Sequence, residues 1–381
     1  MTMLHHLADG PQDGPPLLLG PSLGTSLRLW DAQVPALARR HRVIRWDLPG
    51  HGSTPASVLP DLRPGATTVA DLARLVLGLA DELGIGRFAH AGVSLGGAVG
   101  AWLAAHHPER VVSLVMVCSS AHFGPPEPWL ERAELVRAKG TGSLVESAYG
   151  RWFTAALAAD PTPAVRALIE DLRTTDPGGY AACCDALAGY DLRDGLPAIT
   201  APTLVIAGRD DQATPPEHGR ELADGIAGAS LAEISHASHL ALVERPQAVL
   251  AALQGHLREA EDGMAVRRAV LGDAHVDRAI ARTTPFTADF QDLITRYAWG
   301  EIWTRPGLDR RTRSCITLTA LVAHGHLDEL AMHVRAAIRN GLSRDEIKEV
   351  LLQTAVYCGV PAANSAFATA QRVLDELDSE S

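Results

Sequence analysis

The sequence predicts two unlike units in series: a mainly parallel α/β unit with a helical insertion, then a separate all-α unit. Three observations carry this. Up to residue 120, short apolar runs alternate with amphipathic helical stretches, as βα repeats do. The alternation returns at 203–259, after an intervening stretch of helical character. Beyond residue 263, strand signals almost vanish. A length of 381 residues fits such a division, since domains typically hold about 150 residues.

In chain order, residues 16–20, 41–46, 87–93 and 111–119 read as strands. Residues 69–83 carry apolar side chains at helical spacing. Over 122–196 the chain changes character. Pro125, Pro126 and Pro128 interrupt it, and the helical segments that follow hold Trp129, Trp152 and Phe153, so this stretch is expected to form a helical lid. Strands resume at 203–207 (TLVIA) and 231–234, separated by a helix at 216–225. A helix at 246–259 closes the first unit. The charged run 258–263 (REAEDG) ends in glycine and is read as the boundary between domains at 1–260 and 264–381. Past it, residues 309–323, 327–340, 343–360 and 361–377 read as helices. Gly341 follows Asn340 as a stop signal, and Ser343 with Glu346 forms a capping box opening the next helix.

Composition removes several classes. The formal charge is −11, from 34 basic and 45 acidic residues, which argues against nucleic-acid binding. Lys139 and Lys348 are the only lysines, so Schiff-base chemistry has two candidates at most. The five cysteines (Cys118, Cys183, Cys184, Cys315, Cys358) are odd in number and form no C-x-x-C. Neither a disulfide framework nor a zinc site is expected. The N-terminal residues show no signal-peptide pattern, and no apolar run approaches ~18 residues. A cytoplasmic protein without a membrane span is expected.

Gly92-Val93-Ser94-Leu95-Gly96 fits G-x-S-x-G, preceded by a predicted strand and followed by a helix of small residues. A nucleophile elbow needs that context, because its serine sits on a strained turn between closely packed strand and helix. An ordinary N-cap serine is the bland alternative. A serine nucleophile requires a base and an orienting acid, expected in the order Ser, Asp, His. After TLVIA come Asp210 and Asp211, of which Asp211 is preferred. After the last strand come His236 and His239, of which His239 is preferred. The oxyanion donors are expected to be the backbone N–H groups of Leu95 and Leu23, since Pro21 has none to give.

On these residues the stretch 15–258 resembles an α/β-hydrolase, and several segments resemble 3-oxoadipate enol-lactonases. The segments are Ser22-Leu23-Gly24-Thr25 with Trp30-Asp31, Arg45-Trp46-Asp47-Leu48-Pro49-Gly50-His51-Gly52-Ser53, AGVSLGG, Ala213-Thr214-Pro215-Pro216-Glu217-His218-Gly219 and Ser238-His239-Leu240. The residues around Asp47 depart from many relatives. The resemblance implies a lactone substrate with a free carboxylate, attack by Ser94 and proton acceptance by His239. The carboxylate then needs donors from the lid, for which Trp129, Arg132 and Arg137 are candidates.

In the helical unit, His326, Glu329 and His333 stand at i, i+3 and i+7. Residues 264–377 resemble 4-carboxymuconolactone decarboxylases. The carrying segments are 307–314 (GLDRRTRS), 333–341 (HVRAAIRNG), 345–354 (DEIKEVLLQT) and 357–364 (YCGVPAAN). Peroxidase relatives of that family hold a C-x-x-C where this chain has His326 and Glu329, so thiol redox chemistry is not expected. The resemblance implies decarboxylation without a cofactor or metal, with His333 as acid, Glu329 as its partner, and Arg313 or Arg335 as carboxylate anchor. The fold expected is therefore an α/β-hydrolase domain with a mainly parallel sheet and helical lid, followed by an all-α carboxymuconolactone-decarboxylase-like domain. Small anionic lactones are the expected ligands, and homo-oligomerisation through the C-terminal domain is expected. The competing reading is an esterase or C–C hydrolase carrying a non-catalytic helical oligomerisation domain.

Overall fold

The computed structural model describes residues 3–284, 286–305 and 307–380. The chain divides into two compact units, one up to Leu257 and one from Arg258 onward.

The first unit is built on a seven-stranded sheet: β1 (His6–Asp9), β2 (Pro16–Gly20), β3 (Arg42–Trp46), β4 (Phe88–Val93), β5 (Val111–Val117), β6 (Thr203–Gly208) and β7 (Ser230–Ile234). Its order is β1-β3-β2-β4-β5-β6-β7, all parallel except β1 on β3. β4 and β6 are buried along their whole length, as expected of parallel strands covered on both faces. The chain leaves β2 toward β3 on one side and comes back to β4 on the other. The strand order thus reverses between β2 and β4, and ligands in such sheets bind beyond the carboxyl ends of the strands at that point.

The insertion between β5 and β6 is helical, with the helices Glu127–Lys139, Val145–Trp152, Pro163–Thr174 and Pro177–Ala188 as its main elements. Asp176 caps the last of these by accepting the Gly179 N–H, and Thr162 caps the one before it.

Among the described residues the second unit is all-α, with the helices Arg310–His324, Leu327–Arg339, Arg344–Cys358 and Val360–Glu380 forming its main core. The capping box read from Ser343 and Glu346 is present in both directions, and Gly341 follows the Asn340 cap with φ +92°. No described helix is long and apolar enough to cross a membrane.

Three features differ from the sequence reading. β1 was not expected; it is an edge strand of four residues, none of them buried. The helices Asp273–Ala281 and Ala288–Ile294 were also unread. The helix expected to stop near residue 259 runs on as Pro246–Leu271. Gly263 is not a stop signal: a Cβ there would lie 2.3 Å from the Thr295 carbonyl oxygen, so glycine is required by close helix packing.

Candidate functional site

β4 delivers Ser94 to its carboxyl end. There the backbone turns through φ 52°, ψ −114° directly into the helix Leu95–His106. A non-glycine residue in that region carries strain, which the surrounding bonds hold in place. The Ser94 N–H donates to the Val117 carbonyl at 2.9 Å, and Ser119 Oγ donates to the Ser94 carbonyl at 2.7 Å. Strand and helix approach so closely that a Cβ on Gly92 would lie 2.2 Å from the Gly96 carbonyl carbon. The G-x-S-x-G glycines are thus a packing requirement of this elbow.

β6 ends in the turn that carries Asp211. Its Oδ1 accepts the N–H groups of Ala213 (2.8 Å) and Thr214 (3.0 Å). Its Oδ2 accepts Thr214 Oγ1 at 2.7 Å and His239 Nδ1 at 2.9 Å. Burial works against the charge of Asp211, but His239 and the Thr214 hydrogen bonds outweigh it and hold the carboxyl below its ordinary value. Asp210 and His236, the weaker candidates, are both exposed. With Nδ1–H committed to Asp211, the other ring nitrogen of His239 is left as an acceptor.

Ser94 and His239 line one narrow cleft together with Leu23, Trp129, Arg132 and Arg151. The two guanidinium groups sit over the Trp129 ring, at 5.6 Å for Arg132 and 5.5 Å for Arg151. Burial and the neighbouring Arg132 both lower the pKa of Arg151, a sign of concentrated positive charge. Tyr180, on the same wall, is pushed up to about 12, chiefly by burial. Arg151 was missed in the sequence; its signal was an arginine set among aromatics in Tyr149-Gly150-Arg151-Trp152. Arg137, expected here, instead forms an ion pair with the buried Asp185 at 2.5 Å and does not line the cleft.

The loop after β2 brings Leu23 to the cleft. Among the described residues the Leu23 N–H has no backbone or side-chain acceptor. Leu95 is the first helical residue, so its N–H lies outside the intrahelical ladder. The loop is fixed from beneath: the Gly24 N–H donates to His51 Nε2 at 3.0 Å, and His51 Nδ1 donates to the Pro49 carbonyl at 2.9 Å. Burial lowers the His51 pKa to about 4, against the Pro49 bond, so the ring is neutral and its tautomer is set. Asp47 anchors the same region by accepting the N–H groups of Leu27 (2.7 Å) and Ser53 (3.1 Å).

In the second unit, His333 is half-buried with its ring stacked on Trp299 at 6.4 Å. Burial, then the nearby His275, lower its pKa to about 4 against the pull of Glu329. The resting imidazole is therefore neutral, which departs from the expected acid. Glu329 is exposed, and His326 is the N-cap of the helix, stacked on His324 at 5.9 Å. Arg313 donates to the Leu308 (3.2 Å) and Arg305 (2.8 Å) carbonyls, so its guanidinium braces a loop. Arg335 lines a cavity and pairs with Glu376 at 2.5 Å. No group of three metal-ligating side chains occurs among the described residues.

Residues 15–246 match the alpha/beta hydrolase fold family. The chain belongs to that family. Residues 288–372 match the carboxymuconolactone decarboxylase family, so an α/β-hydrolase domain is fused to a decarboxylase-family domain in one chain. The hydrolase part is 37% identical to 3-oxoadipate enol-lactonase 2 of Acinetobacter baylyi over 245 residues, 64% of this chain and 89% of the relative. The C-terminal part is 47% identical to 4-carboxymuconolactone decarboxylase of the same organism over 117 residues, 31% of this chain and 87% of the relative. A solved enol-lactonase from Burkholderia xenovorans LB400 superimposes with a TM-score of 0.64 at 38% identity, covering 67% of this chain and 96% of that one.

Proposed function

We propose that this α/β-hydrolase–decarboxylase fusion catalyses two consecutive steps of protocatechuate breakdown in the β-ketoadipate pathway. The second unit decarboxylates 4-carboxymuconolactone to 3-oxoadipate enol-lactone, and the first hydrolyses that product to 3-oxoadipate. The carrying observation is that one chain covers most of two relatives whose names give the second reaction and the first.

In the hydrolytic step Ser94 Oγ attacks the lactone carbonyl while the unprotonated ring nitrogen of His239 takes its proton. The Leu23 and Leu95 N–H groups face the oxyanion that forms. Ring opening expels the enol oxygen, which receives the proton from the imidazolium and tautomerises to the ketone. Water, deprotonated by His239, then releases the acid from Ser94. Arg132 and Arg151 hold the substrate's free carboxylate against Trp129.

In the decarboxylation the C–C bond electrons pass from the departing carboxylate through the ring to the carbonyl oxygen. Carbon is then reprotonated, so each turnover consumes one proton. His333 relays that proton: it is neutral at rest, and the incoming dianion together with Glu329 raises its basicity. Incubating the purified chain with 4-carboxymuconolactone tests the reading. Release of CO₂ and accumulation of 3-oxoadipate are expected. Esterase activity without CO₂ release would favour a hydrolase carrying a non-catalytic helical oligomerisation domain.

A further inference from the structure

The second unit holds a cavity of about 780 Å³ between the start of the helix Asp273–Ala281, the helix Leu327–Arg339 and the helix Val360–Glu380. Five arginines line it, Arg268, Arg278, Arg335, Arg339 and Arg372, against two carboxylates, Asp273 and Glu376. In a chain of formal charge −11 this is a local reversal of sign.

The cations are not equally engaged. Arg268 is paired with Asp273 (3.1 Å) and Asp277 (2.7 Å). Arg335 and Arg372 share Glu376. Arg339 donates to the Val270 carbonyl at 3.2 Å and has no carboxylate partner among the described residues. Arg278 has no hydrogen bond or ion pair among the described residues. Arg267, next to the cavity-lining Arg268 in the chain, is only 4% exposed and does not itself line the cavity. It bonds Thr295 and Gln291, both neutral, and its Nε is buried without a partner. An uncompensated guanidinium in such a place is costly unless an anion comes close.

His275, also on the cavity wall, responds to this field. Burial, and then Arg278, Arg267, Arg282 and Arg339, lower its pKa. The same His275 lowers the pKa of His333, which follows the cavity-lining Met332 on the helix Leu327–Arg339 without itself lining the cavity.

We propose that this cavity is a binding site for a small dicarboxylate, anchored by Arg278 and Arg339, neither of which has a carboxylate partner among the described residues. Resting on the proposed decarboxylation, the site takes the two carboxylates of the lactone dianion on the wall that carries His275. Two spaced guanidinium groups select a dianion over a monoanion, because each carboxylate finds its own donor.

The test uses the full chain carrying Arg132→Gln and Arg151→Gln, which silences the carboxylate anchors of the hydrolase cleft. Adipate and the monoanion hexanoate are titrated by calorimetry, and the KM for CO₂ release from 4-carboxymuconolactone is measured alongside. Arg278→Gln is compared with Arg39→Gln, an equal change in charge at an exposed residue of the first unit. Arg278→Gln is expected to weaken adipate binding and raise that KM about tenfold or more, with Arg39→Gln close to the parent and hexanoate bound far more weakly than adipate. Equal effects of the two variants, or equal binding of the two acids, would overturn the site. Adipate binding sensitive to Arg278 in a chain that releases no CO₂ would uphold the site and remove the decarboxylase reading. CO₂ release with a KM indifferent to Arg278 would do the reverse.

Discussion

His239 Nδ1 lies 2.9 Å from Asp211 Oδ2, and both side chains are buried. The bond fixes the ring's tautomer and leaves its other nitrogen unprotonated in the cleft that holds Ser94. Asp211→Asn keeps the size of the side chain but can present an N–H to Nδ1, favouring the wrong tautomer. The kcat for enol-lactone hydrolysis is expected to fall about 10⁴-fold with little change in KM. Steady-state kinetics on the isolated lactone checks this; a loss below tenfold would show that the pair does not orient the base.

His51 supports the Leu23 side of the cleft through the Gly24 N–H. His51→Phe removes both the acceptor and the donor while keeping an aromatic ring beside Tyr180, on which His51 stacks at 6.0 Å. A misplaced Leu23 N–H weakens transition-state binding more than substrate binding. The kcat should fall about 100-fold, with KM within a few-fold. A rise in KM alone would mean that the loop contacts substrate without serving the oxyanion.

Arg132 and Arg151 flank Trp129 in that cleft. Arg151→Ala is expected to raise KM about tenfold or more for the carboxylate-bearing enol-lactone. It should leave KM unchanged for α-angelica lactone, a neutral enol-lactone. An equal effect on both substrates would assign Arg151 to lid packing.

Two buried histidines of the first unit, His51 and His90, and the half-buried His256 tie its stability to pH. Burial lowers His51 and His256 to about 4 and His90 to about 3, from an ordinary value of 6.5. Each therefore takes up a proton more readily in the unfolded chain. Their contribution is fully present above about pH 6.5 and is lost as pH falls toward 4 and then 3. His90 is the cleanest probe, since neither ring nitrogen has a partner among the described residues. Urea midpoints should drop between pH 7.5 and pH 5, and His90→Leu should flatten that slope. An unchanged slope would mean His90 does not contribute.

The sheet, the elbow and the Ser, Asp and His candidates were legible in the sequence because each is encoded locally. Strand runs end in short turns, and a glycine-rich turn opens a helix. What was not legible depends on distant partners. Arg137 and Arg151 look alike in sequence, yet Asp185 captures the first while Trp129 and Arg132 surround the second. Gly263 read as a break because its reason, the Thr295 carbonyl, lies 32 positions away in the chain. The charge state of His333 is set by the burial around it and by His275, outside the motif that drew attention to it. The edge strand β1 has only four residues, with Leu7 and Ala8 adjacent between His6 and Asp9, so it offered no alternation to detect.

The proposed function requires two separate sites in one chain that act in sequence. Ser94→Ala incubated with 4-carboxymuconolactone tests it most directly, with CO₂ and 3-oxoadipate followed in the same tube. CO₂ release is expected at the unaltered rate, with accumulation of the enol-lactone and no 3-oxoadipate beyond spontaneous hydrolysis. Loss of CO₂ release together with hydrolysis, or 3-oxoadipate formed at the unaltered rate, would contradict it.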